Sequence, residues 1–318
     1  MKINESADMV IRTCMGAKDN ETVLVVTDTG TDQEIASALY NAAVDTGCET
    51  LLLMMEPRGQ HGEEPCTIVA EAMCRADVVL APTSRSLTHT EARRRACDAG
   101  ARIATMPGIT TRMMTTGGLT ADHRVIDAAA ERLLEALYDT TTVHIMTELG
   151  TDLVIDVLNG QWLADTGMCT APGSFTNLPA GEICIAPHNA NGRLVIDGSM
   201  AGLGLLDDPL TIDIKDRYAT EIKGPRADEL KQMIDQAGPG ARNIAELGIG
   251  INPAASITGS ILEDEKVGGT VHVALGDNTS FGGDVSVDLH LDGVVTGPQV
   301  HVDGRPLDLD IFVGRKVI

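Results

Sequence analysis

The sequence predicts an α/β fold in two parts: a mostly parallel α/β domain over residues 1–142, then an α+β, antiparallel-rich, metal-binding domain over 143–318. Three observations carry this reading. Strand-like and helix-like runs alternate up to about residue 140, turn signals crowd the remainder, and imidazole and carboxylate groups sit inside strand-like segments near the C-terminus.

In the first part, 22–26 is a β-branched run followed by Thr-Asp-Thr-Gly-Thr-Asp, in which Thr31 or Asp32 can cap a helix over Gln33–Thr46. A strand is predicted at 50–55, a helix at 68–75, a buried strand at 77–81, a capped helix at 88–99 and a strand at 102–106. Strands that alternate with helices imply right-handed crossovers, hence parallel pairing. A long amphipathic helix at 121–138 and a hinge at Asp139-Thr-Thr-Thr close this part. Beyond it come Asn191-Gly192, Asp197-Gly198, Asp303-Gly304 and several Gly-Pro pairs. Asn191-Gly192, between apolar runs at 183–187 and 193–196, predicts a hairpin. One further helix is expected near 226–236, and no internal repeat is visible.

Composition excludes some partners. The 318 residues carry 46 acidic and 24 basic side chains, a formal net charge of -22. Nucleic acid and anionic membrane surfaces would be repelled. The acids are scattered, as on a strongly solvated surface suited to a salt-rich cytosol. Aromatic residues make up 2%, too few for base stacking. No run reaches the roughly 18 apolar residues that a membrane span needs, and the N-terminus lacks a signal peptide's apolar core. The seven cysteines (14, 48, 66, 74, 97, 169 and 184) show no CxxC spacing. They read as small hydrophobes in a reducing cytoplasm, and no cysteine-ligated zinc site is expected.

Chemistry concentrates between Lys266 and Val295. His290 and Asp292 are two apart, so on a strand both face the same side, where one cation can bind both. His272 lies on another apolar run beside glycines. With Glu182 and Glu246, these residues form a set of two imidazoles and three carboxylates suited to a pair of divalent ions. Without cations, burial of such groups is costly. Taken singly, Asp292-Gly293 reads as a turn, His290 as a structural histidine and Glu182 as a strand-edge carboxylate in water. Lys266 is placed to hold a substrate carboxylate or an oxyanion, and Glu265 to shuttle a proton. His188 and His301 read as structural or exposed, and His89 as part of a capped helix start. Thr27–Gly30 resembles a phosphate nest but lacks the glycine pattern of a nucleotide site.

Segments 177–187, 245–253 and 269–292 resemble, in order and spacing, the metal-binding segments of the aminopeptidase T / aminopeptidase S family of two-metal exopeptidases. Residues 86–94 and 100–102 extend the likeness into the first part. The resemblance implies that Glu182, Glu246, His272, His290 and Asp292 bind two zinc, cobalt or manganese ions. It also implies that these ions activate a water that attacks an N-terminal peptide bond, in a homodimer acting on small peptides or related amides. Two departures are visible. The chain is shorter than those peptidases, and Thr279 stands where they carry a tyrosine that stabilises the tetrahedral intermediate.

A second branch of the superfamily, the ring-cleaving 2,5-dihydroxypyridine dioxygenases, shares the His-x-Asp pair and a loop resembling Gly276–Gly283. Those enzymes have histidine at the position of Glu246, a small residue at that of His272, and one ferrous ion. The ligands favour a cytoplasmic two-metal hydrolase. The alternatives are a mononuclear iron dioxygenase and a non-catalytic, metal-stabilised protein that binds a small molecule.

Overall fold

The computed structural model describes residues 1–158 and 160–314. The chain divides into two compact units, one made of 1–127 with 165–180 and the other of 128–164 with the remainder from 181. A single boundary at 142 does not describe this: the chain leaves the first unit inside the His123–Ala136 helix and returns for 165–180.

The first unit is built on a five-stranded, wholly parallel sheet in the order 49–55, 22–28, 78–81, 102–105, 175–177. The Thr22–Asp28 strand is buried from its second residue onward. That suits an interior strand covered on both faces, where a continuous apolar run is stable. The Gln33–Thr46 helix starts where expected. The Asp32 carboxylate accepts from the Glu34 N–H, and Gly47 ends the helix at φ 90°, a left-handed conformation that favours glycine. Ile35, Ala36, Leu39, Ala42 and Ala43 bury one face of it. Thr90 caps the Glu91–Asp98 helix by accepting from the Arg93 N–H. The sequence did not announce the N-terminal helix Ile3–Met9 with its π-helical continuation Val10–Cys14, the short helix Thr111–Thr115 or the edge strand Phe175–Asn177.

The second unit holds two seven-stranded sheets with antiparallel pairing. One runs in the order 218–223, 210–215, 189–196, 152–156, 142–146, 299–302, 305–307. The other, which carries the site, runs 204–205, 199–200, 290–295, 271–276, 244–250, 182–185, 163–165. The expected hairpin at Asn191-Gly192 is not formed. Asn189–Ile196 is one continuous strand, with Gly192 paired to Leu153 on one side and Ile214 on the other. Gly192 stands there at φ 131°, and a Cβ on it would lie 2.2 Å from the Asp152 carbonyl oxygen. The glycine serves close backbone approach instead of a turn. Asp303-Gly304 does turn, with both residues at positive φ between paired strands. The helix expected near 226–236 is Ala227–Ala237. No described helix is long and apolar enough to cross a membrane.

Candidate metal centre

The site is written on one face of four adjacent strands, because alternate residues of a strand share a face. Glu182 and Cys184 come from the Glu182–Ile185 strand, and Glu246 from Ile244–Gly250. His272 comes from Val271–Gly276, and His290 and Asp292 from His290–Val295. Register aligns them: Gly250 pairs Glu182, Gly248 pairs both Cys184 and His272, Ala274 pairs both Glu246 and Asp292, and Gly276 pairs His290. Each large polar side chain thus has a glycine or alanine beside it. Gly248 shows why: a Cβ there would lie 1.9 Å from His272 Nε2. A register shift between Ile244 and Glu246 sets the carboxylate in phase with this pattern.

The five predicted ligands converge. His272 Nε2 lies 3.3 Å from Glu182 Oε2 and 3.5 Å from Glu246 Oε1. His290 Nε2 lies 3.1 Å from Glu246 Oε2 and 3.3 Å from Asp292 Oδ1. Glu246 therefore turns one oxygen to each imidazole. The His290 Nδ1–H donates to the Asp277 carbonyl at 2.8 Å, which fixes the ring and leaves Nε2 facing the carboxylates. Lys266, 1% exposed, places Nζ 2.5 Å from Glu182 Oε1 and 2.6 Å from Glu265 Oε1.

Burial makes this arrangement costly unless its charges are balanced. Burial pushes the Glu182 carboxyl up, but the Lys266 ammonium and the His272 ring outweigh it and hold it at about 2. Glu246 meets the same opposition between burial and its two imidazoles, again at about 2. For Asp292, burial raises the carboxyl and His290 brings it below the usual range. Burial lowers His272 and His290, yet the facing carboxylates carry both well above their ordinary value. Glu265 is driven up to about 8 by burial against the pull of Lys266, and the charges of Asp292 and Glu182 add to the rise.

Three groups of side chains present ligand atoms within 4.8 Å of one another: Glu182–Glu265–His272, Glu246–His272–Asp292 and Glu182–Cys184–Glu246. Glu182 Oε2 and both nitrogens of His272 are buried and make no hydrogen bond. Buried polar atoms are ordinarily paired. Glu182 Oε2 and His272 Nε2 face each other at 3.3 Å, and an oxygen and a nitrogen donor so placed fit a metal ion.

Thr279, expected beside the site, is not brought into this cluster. It is exposed in the short Thr279–Phe281 turn, and its hydroxyl donates to Asp277 at 2.8 Å. Two residues went unanticipated. Phe281 sets its ring 5.4 Å from the His290 ring, tilted by 33°. Cys184 shares a face with Glu182, a relation its two-residue spacing could have shown.

The model of the NicX family, 2,5-dihydroxypyridine 5,6-dioxygenase, matches residues 3–310. The 2,5-dihydroxypyridine dioxygenase from Pseudomonas putida KT2440 superposes with a TM-score of 0.81 at 18% identity, covering 96% of this chain and 95% of that one. Wild-type AmpT from Thermus thermophilus superposes with a TM-score of 0.69 at 17% identity, covering 99% of each chain. No curated protein matches. The two structures share the fold with this chain, a parallel sheet followed by antiparallel ones. They come from the two branches that the sequence resembles. With a match over nearly its whole length, the chain belongs to the NicX family.

Proposed function

We propose that this chain holds one divalent ion, ferrous iron, and opens the ring of a small hydroxylated aromatic. Lys266 is the observation that carries this reading. Its ammonium already stands against Glu182 and Glu265, the two carboxylates of one of the three ligand groups. At about 4 Å two unit charges repel by about 4 kcal/mol in a partly screened interior, and a divalent ion doubles that. Charge counting agrees. The carboxylates of Glu182, Glu246 and Asp292 facing one ammonium leave two negative charges, with Glu265 neutral below about 8. One divalent ion balances these with both imidazoles neutral. Family membership supports the same reading.

Glu246, His272 and Asp292 present ligand atoms within 4.8 Å of one another, and His290 Nε2 stands against the same two carboxylates at 3.1 and 3.3 Å, a nitrogen and oxygen donor set that suits a non-haem ferrous ion. Iron held there supplies the dioxygen chemistry that no side chain provides. The Asp277 carbonyl keeps the His290 ring in its ligating orientation. Phe281, beside that ring, offers a flat apolar face to an aromatic substrate. Glu265, protonated at neutral pH and 2.6 Å from the Lys266 nitrogen, is placed to exchange a proton with a substrate hydroxyl.

A second reading, a two-metal amide hydrolase, is favoured by Glu246, whose two oxygens face different imidazoles as a bridging carboxylate's do. Against it, the Thr279 hydroxyl is committed to Asp277. Anaerobic ferrous titration with metal analysis, followed by oxygen uptake on a panel of dihydroxypyridines, separates the two. The proposal expects one ion per chain and substrate-dependent oxygen consumption. Two ions per chain with amino-acid release from peptides would establish the hydrolase. One ion with neither activity would leave a ligand-binding protein.

A further inference from the structure

A second grouping of imidazole and carboxylate stands on the other seven-stranded sheet of the same unit. His144 and His301 are direct cross-strand partners, on strands Thr142–Met146 and Gln299–Val302. Val143, Ile145 and Val300 beside them are buried, so alternation turns both imidazoles to the outer face of the sheet. The ring centroids lie 6.4 Å apart, tilted by 44°. Two imidazoles on opposite sides of one ion, each nitrogen about 2.0–2.1 Å from it, span roughly that distance. Asp152, from the adjoining strand Asp152–Asp156, sets Oδ1 2.7 Å from His144 Nε2. An ionised carboxylate only accepts, so the proton between them is on Nε2, and the neutral ring keeps a bare lone pair on Nδ1. A carboxylate so placed fixes the tautomer and orientation of a metal-binding imidazole. His301 supplies an independent observation: its Nδ1 is buried and makes no hydrogen bond. Buried polar atoms are ordinarily paired.

We propose that His144 and His301 share one borderline divalent ion, copper(II), nickel or zinc, at an accessory site on this face. His144 binds through Nδ1, Asp152 holds that ring, and water completes the ligand set. Imidazole donors suit these late transition ions, with copper(II) the strongest of them. The net charge of -22 concentrates cations at the surface. Once bound, the ion clips the 299–302 strand to the 142–146 strand. Manganese and ferrous ions stand at the weak end of the affinity series and are not retained by two imidazoles at a surface. Ion counts made with them therefore report the metal centre alone. The accessory site shares no residue with that centre, and it stands whether the centre holds one ion or two.

The test is equilibrium dialysis of the whole chain against zinc or copper(II) alone, beside His144→Gln, His301→Gln and Asp152→Asn. Wild-type protein is expected to retain one ion more than either histidine variant, with equal manganese counts in all four proteins. Asp152→Asn should keep the extra ion about 10–100-fold more weakly. Acylation of histidines by diethyl pyrocarbonate, mapped by peptide mass, needs no variant to fold: zinc should protect His144 and His301 together. Equal zinc and copper counts in wild type and both histidine variants overturn the site, as does zinc that protects neither ring. Loss of the extra ion in only one histidine variant overturns the shared-ion geometry. An extra ion held equally well by Asp152→Asn overturns the orienting part given to that carboxylate.

Discussion

Replacing Lys266 by methionine tests the charge argument directly, because the two side chains have similar length and only the ammonium is lost. The buried Glu182 carboxylate, 2.5 Å from that nitrogen, would lose its cation, and the Glu265 carboxyl, 2.6 Å away, would lose a hydrogen-bond donor. Removing one member of a buried ion pair costs about 3–5 kcal/mol, since the abandoned charge stays desolvated. At roughly 2–4 °C per kcal/mol for a chain of this size, the metal-free variant should melt about 6–20 °C below wild type. A divalent ion can now enter the vacated place. The variant should therefore bind two ions where the wild type binds one, and ion in roughly hundredfold excess over its Kd should restore about 2.7 kcal/mol. Calorimetric melting with and without manganese, beside metal analysis of the desalted proteins, reads both effects. An unchanged stoichiometry, or a metal-free variant as stable as wild type, would refute the view that the ammonium occupies a cation position.

Further outcomes follow from the same geometry. His290→Ala or Asp292→Ala should weaken divalent-ion binding by at least about 10–100-fold, read by competition with a chelating dye. Phe281→Ala should leave metal content unchanged and raise KM for an aromatic substrate by about 2–12-fold, the equivalent of about 0.5–1.5 kcal/mol of lost ring contact. Gly248→Ala, whose added carbon would fall 1.9 Å from His272 Nε2, should cost about 1–3 kcal/mol in chemical denaturation and displace that ligand. The pH dependence has a defined sign. Glu182 and Glu246, held at about 2, give stability that is present above the ordinary 4.5 and lost as acid approaches 2. His272 and His290, raised by their carboxylates, give stability that is full below 6.5 and lost as pH rises through their elevated values. Glu265, raised to about 8, adds a loss between 4.5 and 8. Chelator-treated protein should thus melt lower as pH rises from 6.5 to beyond 8. Bound divalent ion should flatten or reverse that slope, since it replaces the imidazole protons.

Much of this was legible before any coordinates. The apolar runs at 22–26 and 77–81 are what a strand covered on both faces requires, and Asp32 and Thr90 announce their helices by capping chemistry. Phe175–Asn177 was not legible: three residues carry no period, and their pairing with the 102–105 strand is a contact of long range. Asn191-Gly192 misled because the glycine answers to the neighbouring Asp152 carbonyl, which the local sequence does not record. At the site, the His-x-Asp spacing and the apolar frames of Glu182 and Glu246 pointed to the five converging side chains. The part of Lys266 was hidden, because charge balance is a property of a volume. Thr279 was assigned by resemblance, yet Asp277 two residues earlier, a common local acceptor, carried the sign of its actual bond.

The slip in pairing between Ile244 and Glu246 has a consequence for how such proteins diverge. Strand alternation is a parity rule, and the irregularity resets the parity just before the carboxylate. One residue gained or lost there would turn Glu246 to the reverse side of the sheet while its flanking letters stayed the same. Along this stretch a substitution acts at one position, whereas an insertion or deletion acts on the facing of every residue after it. A relative with an identical Ala-Glu-Leu-Gly string and a different count ahead of it would be a look-alike without the chemistry.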